Sequence, residues 1–180
     1  AVAESEVAWF DTHPEVPRWI HVPGMTNVRD TGGWPLDGGG RVRQGLLYRS
    51  SEMDQHMEIK DEGREVLIEE LGIRTDLDLR ETDVAIPVLD ADVVNWINVM
   101  IVPYQGVAEP EWQDAYRRVF EVLAEPERYP ILFHCWGGCD RAGTIGFLVG
   151  GLLGMAKEDI NREFELSGMS IWGHRRSEHE

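Results

Sequence analysis

Residues 130–144 read Pro-Ile-Leu-Phe-His-Cys-Trp-Gly-Gly-Cys-Asp-Arg-Ala-Gly-Thr. The chemistry lies in Cys135 and Arg141, with His134 before the cysteine and Asp140 before the arginine. The apolar run 131–133 is of the kind that makes a buried strand. Two glycines then turn the chain, and an apolar helix is predicted over 145–153. Strand, glycine loop and helix start make an anion site, because loop N–H groups point inward and the free N–H groups of the helix start join them. The helix dipole and Arg141 are expected to lower the pKa of Cys135 and leave a thiolate near neutral pH. A thiolate beside an arginine fork and a ring of N–H donors can attack a phosphate ester. The bland alternative is a glycine turn around a buried cysteine. The strand–loop–helix context weighs against it.

His134, Cys135 and Arg141 resemble the signature of the protein tyrosine phosphatase superfamily: His-Cys, five residues, then Arg. Asp140 narrows the resemblance to a bacterial tyrosine phosphatase branch that includes some phosphoinositide-active members. That branch usually carries Lys-Asp-Arg-Thr-Gly here, whereas this chain reads Cys139-Asp140-Arg141-Ala142-Gly143. The lysine and the hydroxyl after the arginine are missing.

The resemblance implies roles. Cys135 would form a phosphocysteine, and Arg141 would hold two phosphoryl oxygens bidentately. Backbone N–H groups of Trp136, Gly137, Gly138, Cys139, Asp140 and Arg141 would bind the rest. His134 would orient the loop. No metal or cofactor is expected. The family's usual general acid is an Asp on a separate loop, which falls here within residues 103–108, a stretch without an acid. Asp140 is the first choice for that role and Glu109 the runner-up. Without a hydroxyl at Ala142, hydrolysis of the phosphocysteine is expected to be slow. The branch also carries elements like Asn27-Val28-Arg29-Asp30-Thr31-Gly32-Gly33 and Tyr48-Arg49-Ser50. Arg29 and Asp30 are expected to form a buried pair bracing the loop. Arg49 is expected either to reach the phosphate pocket or to form a surface ion pair.

The expected substrate is a phosphorylated protein, most of all phosphotyrosine, or a small phosphate ester. Trp136, Tyr104 and Trp172 are candidates for aromatic pocket walls. A phosphoinositide or inositol phosphate needs further cations, and Cys139 replaces the obvious one. An inactive phosphate reader and a rhodanese-like sulfurtransferase are the rivals from other classes. The sulfurtransferase does not need the arginine and paired glycines in this register.

Strand and helix patterns alternate along the chain. They predict an α/β fold: a mostly parallel central sheet flanked by helices on both faces, in a phosphatase-like arrangement. Residues 1–180 are read as a single domain with an extended arm over about 1–23, in which 19–22 form a short strand. The domain is expected to stop before its last helix, as a truncated form would. A hairpin-like turn is predicted at 37–41, and strands at 46–51, 73–79, 96–102 and 131–133. Helices are predicted over 61–71, capped by Asp61 and stopped by Gly72, from Pro110 to near 125, and over 157–166 with Gly168 as the stop. Arg80, just past a strand's carboxyl end, is a second-tier site candidate.

The 180 residues carry a formal net charge of −16. Such a field excludes non-specific nucleic-acid binding and repels anionic membranes. No apolar run approaches the ~20 residues of a membrane span, so no stable membrane insertion is expected. The two cysteines, Cys135 and Cys139, both lie in the signature, so there is no disulfide scaffold. A reactive thiolate leans towards a reducing compartment, the cytoplasm. Cys139 is either a small filler or a partner that traps oxidised Cys135. His174 and His179 fit no familiar metal spacing. The oligomeric state is left open.

Overall fold

A computed structural model describes residues 18–172 of the chain. The expected arm lies largely outside that span, as do His174 and His179. Of the strand expected at 19–22, only a single bridge between Trp19 and Arg29 forms.

Five strands make one sheet in the order β1-β2-β5-β3-β4: β1 (Arg29–Asp30), β2 (Leu47–Ser50), β3 (Thr75–Asp78), β4 (Asn95–Asn98) and β5 (Ile131–His134). All neighbours are parallel except β1, which runs antiparallel along the edge of β2. The predicted α/β fold with a mostly parallel sheet is therefore the one observed. Central β5 is buried at every position, as a strand covered on both faces must be. Register fixes what matters next: Ser50, His134 and Asp78 lie level at the carboxyl ends of β2, β5 and β3.

Alternation along the strands sends side chains into two cores. Leu77, Ile131 and Phe133 pack on one face with Val119 and Val122 of α2 (Gln113–Ala124) and Ala142 and Ile145 of α3 (Arg141–Leu153). Tyr48 and Leu132 pack on the other with Val22, Val28 and Leu67. Leu67 belongs to a π-helical turn, Val66–Glu70, that continues α1 (Asp61–Glu65). Lys60, not Asp61, is the N-cap of α1; Asp61 sits in the first turn, where its charge favours the positive helix end. Gly72 follows at φ +64°, the left-handed conformation that ends many helices.

Three predicted strands are shorter than expected. The hydrogen-bonded parts are Leu47–Ser50, Thr75–Asp78 and Asn95–Asn98, because pairing stops where the neighbours diverge into loops. α4 (Lys157–Glu165) turns its Ile160, Glu163 and Phe164 inward and tightens into a 3₁₀ turn, Leu166–Met169, instead of stopping at Gly168. Among the described residues no helix is long and apolar enough to cross a membrane.

Candidate active site

Leaving β5 at His134, the chain loops through Cys135–Asp140 and enters α3 at Arg141, with Asp140 as N-cap. Gly138 has φ +68°, and a Cβ there would lie 2.3 Å from the Ser50 carbonyl oxygen. Only glycine fits. Cys135 is buried, and the N–H groups of Gly138 and Ala142 point at its sulfur. The loop carbonyls face the other way, and five in a row are bonded. The Glu52 N–H donates to Trp136 O at 2.9 Å. Asn27 Nδ2 donates to Gly137 O at 2.9 Å, and Arg49 Nη2 to Gly138 O at 2.7 Å and Cys139 O at 3.4 Å. The Thr144 N–H and hydroxyl donate to Asp140 O at 2.7 and 3.0 Å.

Arg49 is thus fully buried and grips the loop from behind. It neither forms a surface ion pair nor enters the pocket, because β2 lies beneath the loop. Its Nη1 pairs with Glu163 of α4 at 2.7 Å, and Arg29 Nε pairs with the other Glu163 oxygen at 2.8 Å. The expected Arg29–Asp30 pair does not form. Adjacent strand residues point to opposite faces, so Asp30 instead accepts the N–H groups of Gly32 and Gly45, both at 2.7 Å. Arg29 still braces the loop, through Asn27 Oδ1 and Ser167. Burial and the Arg49 charge press the Arg29 pKa down to about 10, against the pull of Glu163.

Arg80 is also fully buried, because it turns back under the loop. Its guanidinium bonds Asp78 at 2.8 Å and Asp54 at 2.7 Å, and lies 5.2 Å from the Trp136 ring centre. It is a support and not an open substrate contact. His134 Nε2 stands 2.9 Å from Asp76 Oδ1 in a dry layer beneath the sheet's carboxyl edge. Burial alone would lower the His134 pKa; Asp76, and then Asp78, outweigh it and push it up to about 9.

At the mouth, Arg141 Nη2 bonds Glu81 Oε1, and its Nε donates to Ile101 O at 3.0 Å. Trp136 Nε1 donates to the other Glu81 oxygen at 3.0 Å. The expected depression of the Cys135 pKa is not what this arrangement produces. Burial raises it, and Asp140 adds to the rise, against the loop N–H groups and Arg141. The Arg141 charge is shared with Glu81 and only partly felt by the sulfur.

Tyr104 meets Asp140 through a 2.5 Å hydrogen bond. Trp172 lies across Gly137, where a Cβ would come within 2.9 Å of its ring. Tyr104 and Trp172 therefore touch the loop that carries Trp136. His56, which sequence reasoning passed over, stands edge-on to both tryptophans, at 5.1 and 5.8 Å. Cys139 packs behind the loop, its sulfur 3.7 Å from Asn27 Nδ2. Glu109 starts the 3₁₀ turn Pro110–Trp112, and no described contact brings its side chain to the loop.

Sequence reasoning also missed Glu81, Glu163, Asn27, Asp76 and Asp78. Three left a signal. Asp76 and Asp78 are acids that alternate with Thr75, Leu77 and Leu79 along a strand and its end, and Glu163 is a charge inside the inward stripe of α4.

The chain belongs to the tyrosine phosphatase family, whose family model matches residues 20–179. A Cupriavidus necator protein that carries the name of a tyrosine-protein phosphatase is 29% identical over 186 residues, covering 82% of this chain and 65% of that protein. The chain thus spans just under two thirds of that relative's length. The fold resembles the core catalytic domain of the PP-IP phosphatase SIW14 from S. cerevisiae in complex with citrate, with TM-score 0.53 and 18% identity over 77% of this chain and 76% of that one. A second SIW14 catalytic core gives TM-score 0.51 at 20% identity, covering 68% and 74%.

Two outcomes follow. The His134 pKa rises from 6.5 to about 9 on folding. Its ion pair therefore adds stability that is fully present below about pH 6.5 and is lost as pH rises through 9. Urea unfolding should show the midpoint falling over that window, and Asp76→Asn should flatten the fall. Glu81→Gln removes the charge that screens Arg141. Alkylation of Cys135 at neutral pH should then quicken by about three- to tenfold. An unchanged rate would show that Glu81 does not screen the sulfur.

Proposed function

We propose that this protein hydrolyses phosphate monoesters by a cysteine mechanism, with protein phosphotyrosine as its substrate. The observation that carries the reading is the signature loop: a buried Cys135 facing loop N–H groups, with every carbonyl from Trp136 to Asp140 turned outward and bonded. A loop so arranged holds donors ready for the charge that develops on a transferring phosphoryl group. Cys135 gives up its thiol proton to solvent and attacks phosphorus as the thiolate, Arg141 leaves Glu81 to fork two phosphoryl oxygens, and Asp140 protonates the departing oxygen. Water then opens the phosphocysteine. Family membership supports the reaction class.

The substrate class is supported by two features. The aromatic rings of Trp136, in the loop, and of Tyr104 and Trp172, in contact with it, suit a phenyl ester. The buried arginines around the loop, Arg29, Arg49 and Arg80, are all bonded to carboxylates. They offer nothing to the additional phosphates of an inositol polyphosphate, the kind of substrate that SIW14's name implies. Thr144 does not replace the hydroxyl missing at Ala142, because its O–H donates to Asp140 O.

The test is a panel of phosphotyrosine peptides, phosphoinositides and inositol phosphates, with kcat/KM expected to be highest for the peptides. Cys135→Ser should abolish turnover yet keep the fold and ester binding. Arg141→Lys keeps the charge but loses the fork, and should cost about 10²- to 10⁴-fold in kcat. Residual turnover above about a per cent in Cys135→Ser would assign the attack to another group, and a preference for inositol phosphates would overturn the substrate class.

A further inference from the structure

Residues 103–108 contain no carboxylate, yet this stretch is folded firmly against Asp140. Tyr104 holds φ +57°, a left-handed conformation that tyrosine keeps only when its surroundings impose it. Its phenol donates to Asp140 Oδ1 at 2.5 Å. Its N–H donates to Thr144 Oγ1 at 3.2 Å, and the Thr144 hydroxyl donates to the Asp140 carbonyl at 3.0 Å. Three bonds therefore close a ring that holds Asp140 by side chain and backbone together. Thr144 is buried, so water does not compete for its share of the ring.

We propose that Tyr104, seated by Thr144, is the positioning residue that aims the Asp140 carboxyl at the leaving oxygen. This rests on the phosphatase reading above and deepens it. The phenol fixes the carboxyl group through Oδ1. As the sulfur–phosphorus bond forms, the phosphorus–oxygen bond breaks and its electron pair stays on the ester oxygen. The Asp140 carboxyl proton passes to that oxygen, and Asp140 is left as a carboxylate that still accepts the Tyr104 hydrogen bond. In the second step the carboxylate takes a proton from the attacking water, whose oxygen bonds to phosphorus as the sulfur–phosphorus bond breaks and its electron pair returns to Cys135; inorganic phosphate leaves and the acid is restored. The loop that lacks an acid of its own thus supplies the means of directing one.

The experiment compares leaving groups. Unaltered protein, Tyr104→Phe, Thr144→Val, Thr144→Ser, Asp140→Asn and the Tyr104→Phe/Asp140→Asn double variant are assayed for kcat on two esters. One is a phosphotyrosine peptide; the other is an aryl phosphate whose phenol has a pKa below neutral. Tyr104→Phe and Thr144→Val should each lose about 10- to 100-fold on the peptide and less than about threefold on the aryl ester, a share of the worth of acid catalysis. Thr144→Ser, which keeps the hydroxyl, should retain peptide turnover. Adding Tyr104→Phe to Asp140→Asn should change nothing further, since residues acting as one unit are not additive. Equal losses on both esters, or losses that add in the double variant, would make Tyr104 a pocket wall and overturn the proposal. Absence of turnover on either ester by the unaltered protein would instead overturn the phosphatase reading, and this role with it.

Discussion

Turning a ring of N–H groups inward has a necessary consequence. The carbonyls of the same peptides must face outward, into protein, and each one left unbonded there would cost about 1–3 kcal/mol. This constraint organises the rest of the structure. The two ends of the loop are served by the Glu52 N–H at Trp136 and by Thr144, four residues further on, at Asp140. The middle is served by Asn27 and Arg49, which come from β1's approach and from β2. Using a guanidinium for that purpose means burying a charge, and a buried charge needs a partner. Glu163 supplies it to Arg49 and Arg29 together, and in doing so pins α4 to the back of the loop. Gly143 and Gly146 belong to the same solution. A Cβ on either would meet an Arg49 nitrogen at 3.2 Å.

A second polar layer lies on the other side of β5. Alternation along β3 puts Asp76 and Asp78 on the face that carries His134, and Arg80 follows them just beyond the strand. Arg80 pairs with the carboxylates of Asp54 and Asp78, and His134 with that of Asp76. The strand end that presents Cys135 is thereby flanked by charge networks on both sides, Glu163 behind and Asp76–Asp78 beneath. Neither network offers an open cation to solvent. In a chain of net charge −16, the proposed reaction then relies for anion recognition on Arg141 and the loop N–H groups.

Much of this was legible in order along the chain. The alternation of apolar strands and helical stripes gave the sheet and its layers, because burial on one or two faces dictates those periods directly. The signature gave Cys135, Asp140 and Arg141, because strand, glycine turn and helix start are consecutive in sequence. What could not be read were pairings across long separations. Arg29 lies 134 positions from Glu163, and Arg141 lies 60 positions from Glu81. An arginine near a strand end looks the same in sequence whether it faces substrate or holds the loop from behind. Arg49 and Arg80 both turned out to hold it, and only the sheet register decides that. The shift of Cys135 was misjudged for a related reason. The dipole and Arg141 are visible in sequence, whereas the depth of burial and the Glu81 contact are not.

Glu81 gives the pocket a particular electrostatic character. Its carboxylate occupies Arg141 and the Trp136 N–H, so in this state the arginine is already neutralised. Under the proposed reaction, a phosphoryl group exchanges one anion for another at Arg141, and raw charge attraction cancels to first order. The balance is then set by what the two anions do not share. The Gly138 and Ala142 N–H groups face the Cys135 sulfur, at the place where a phosphoryl group would sit during attack. A phosphate ester gains those donors together with the fork, whereas the Glu81 bonds described above go to Arg141 and Trp136. Selectivity for a transferring phosphoryl group over a simple carboxylate therefore comes from preorganised backbone rather than from net positive potential, which is how an acidic protein can recognise an anionic substrate.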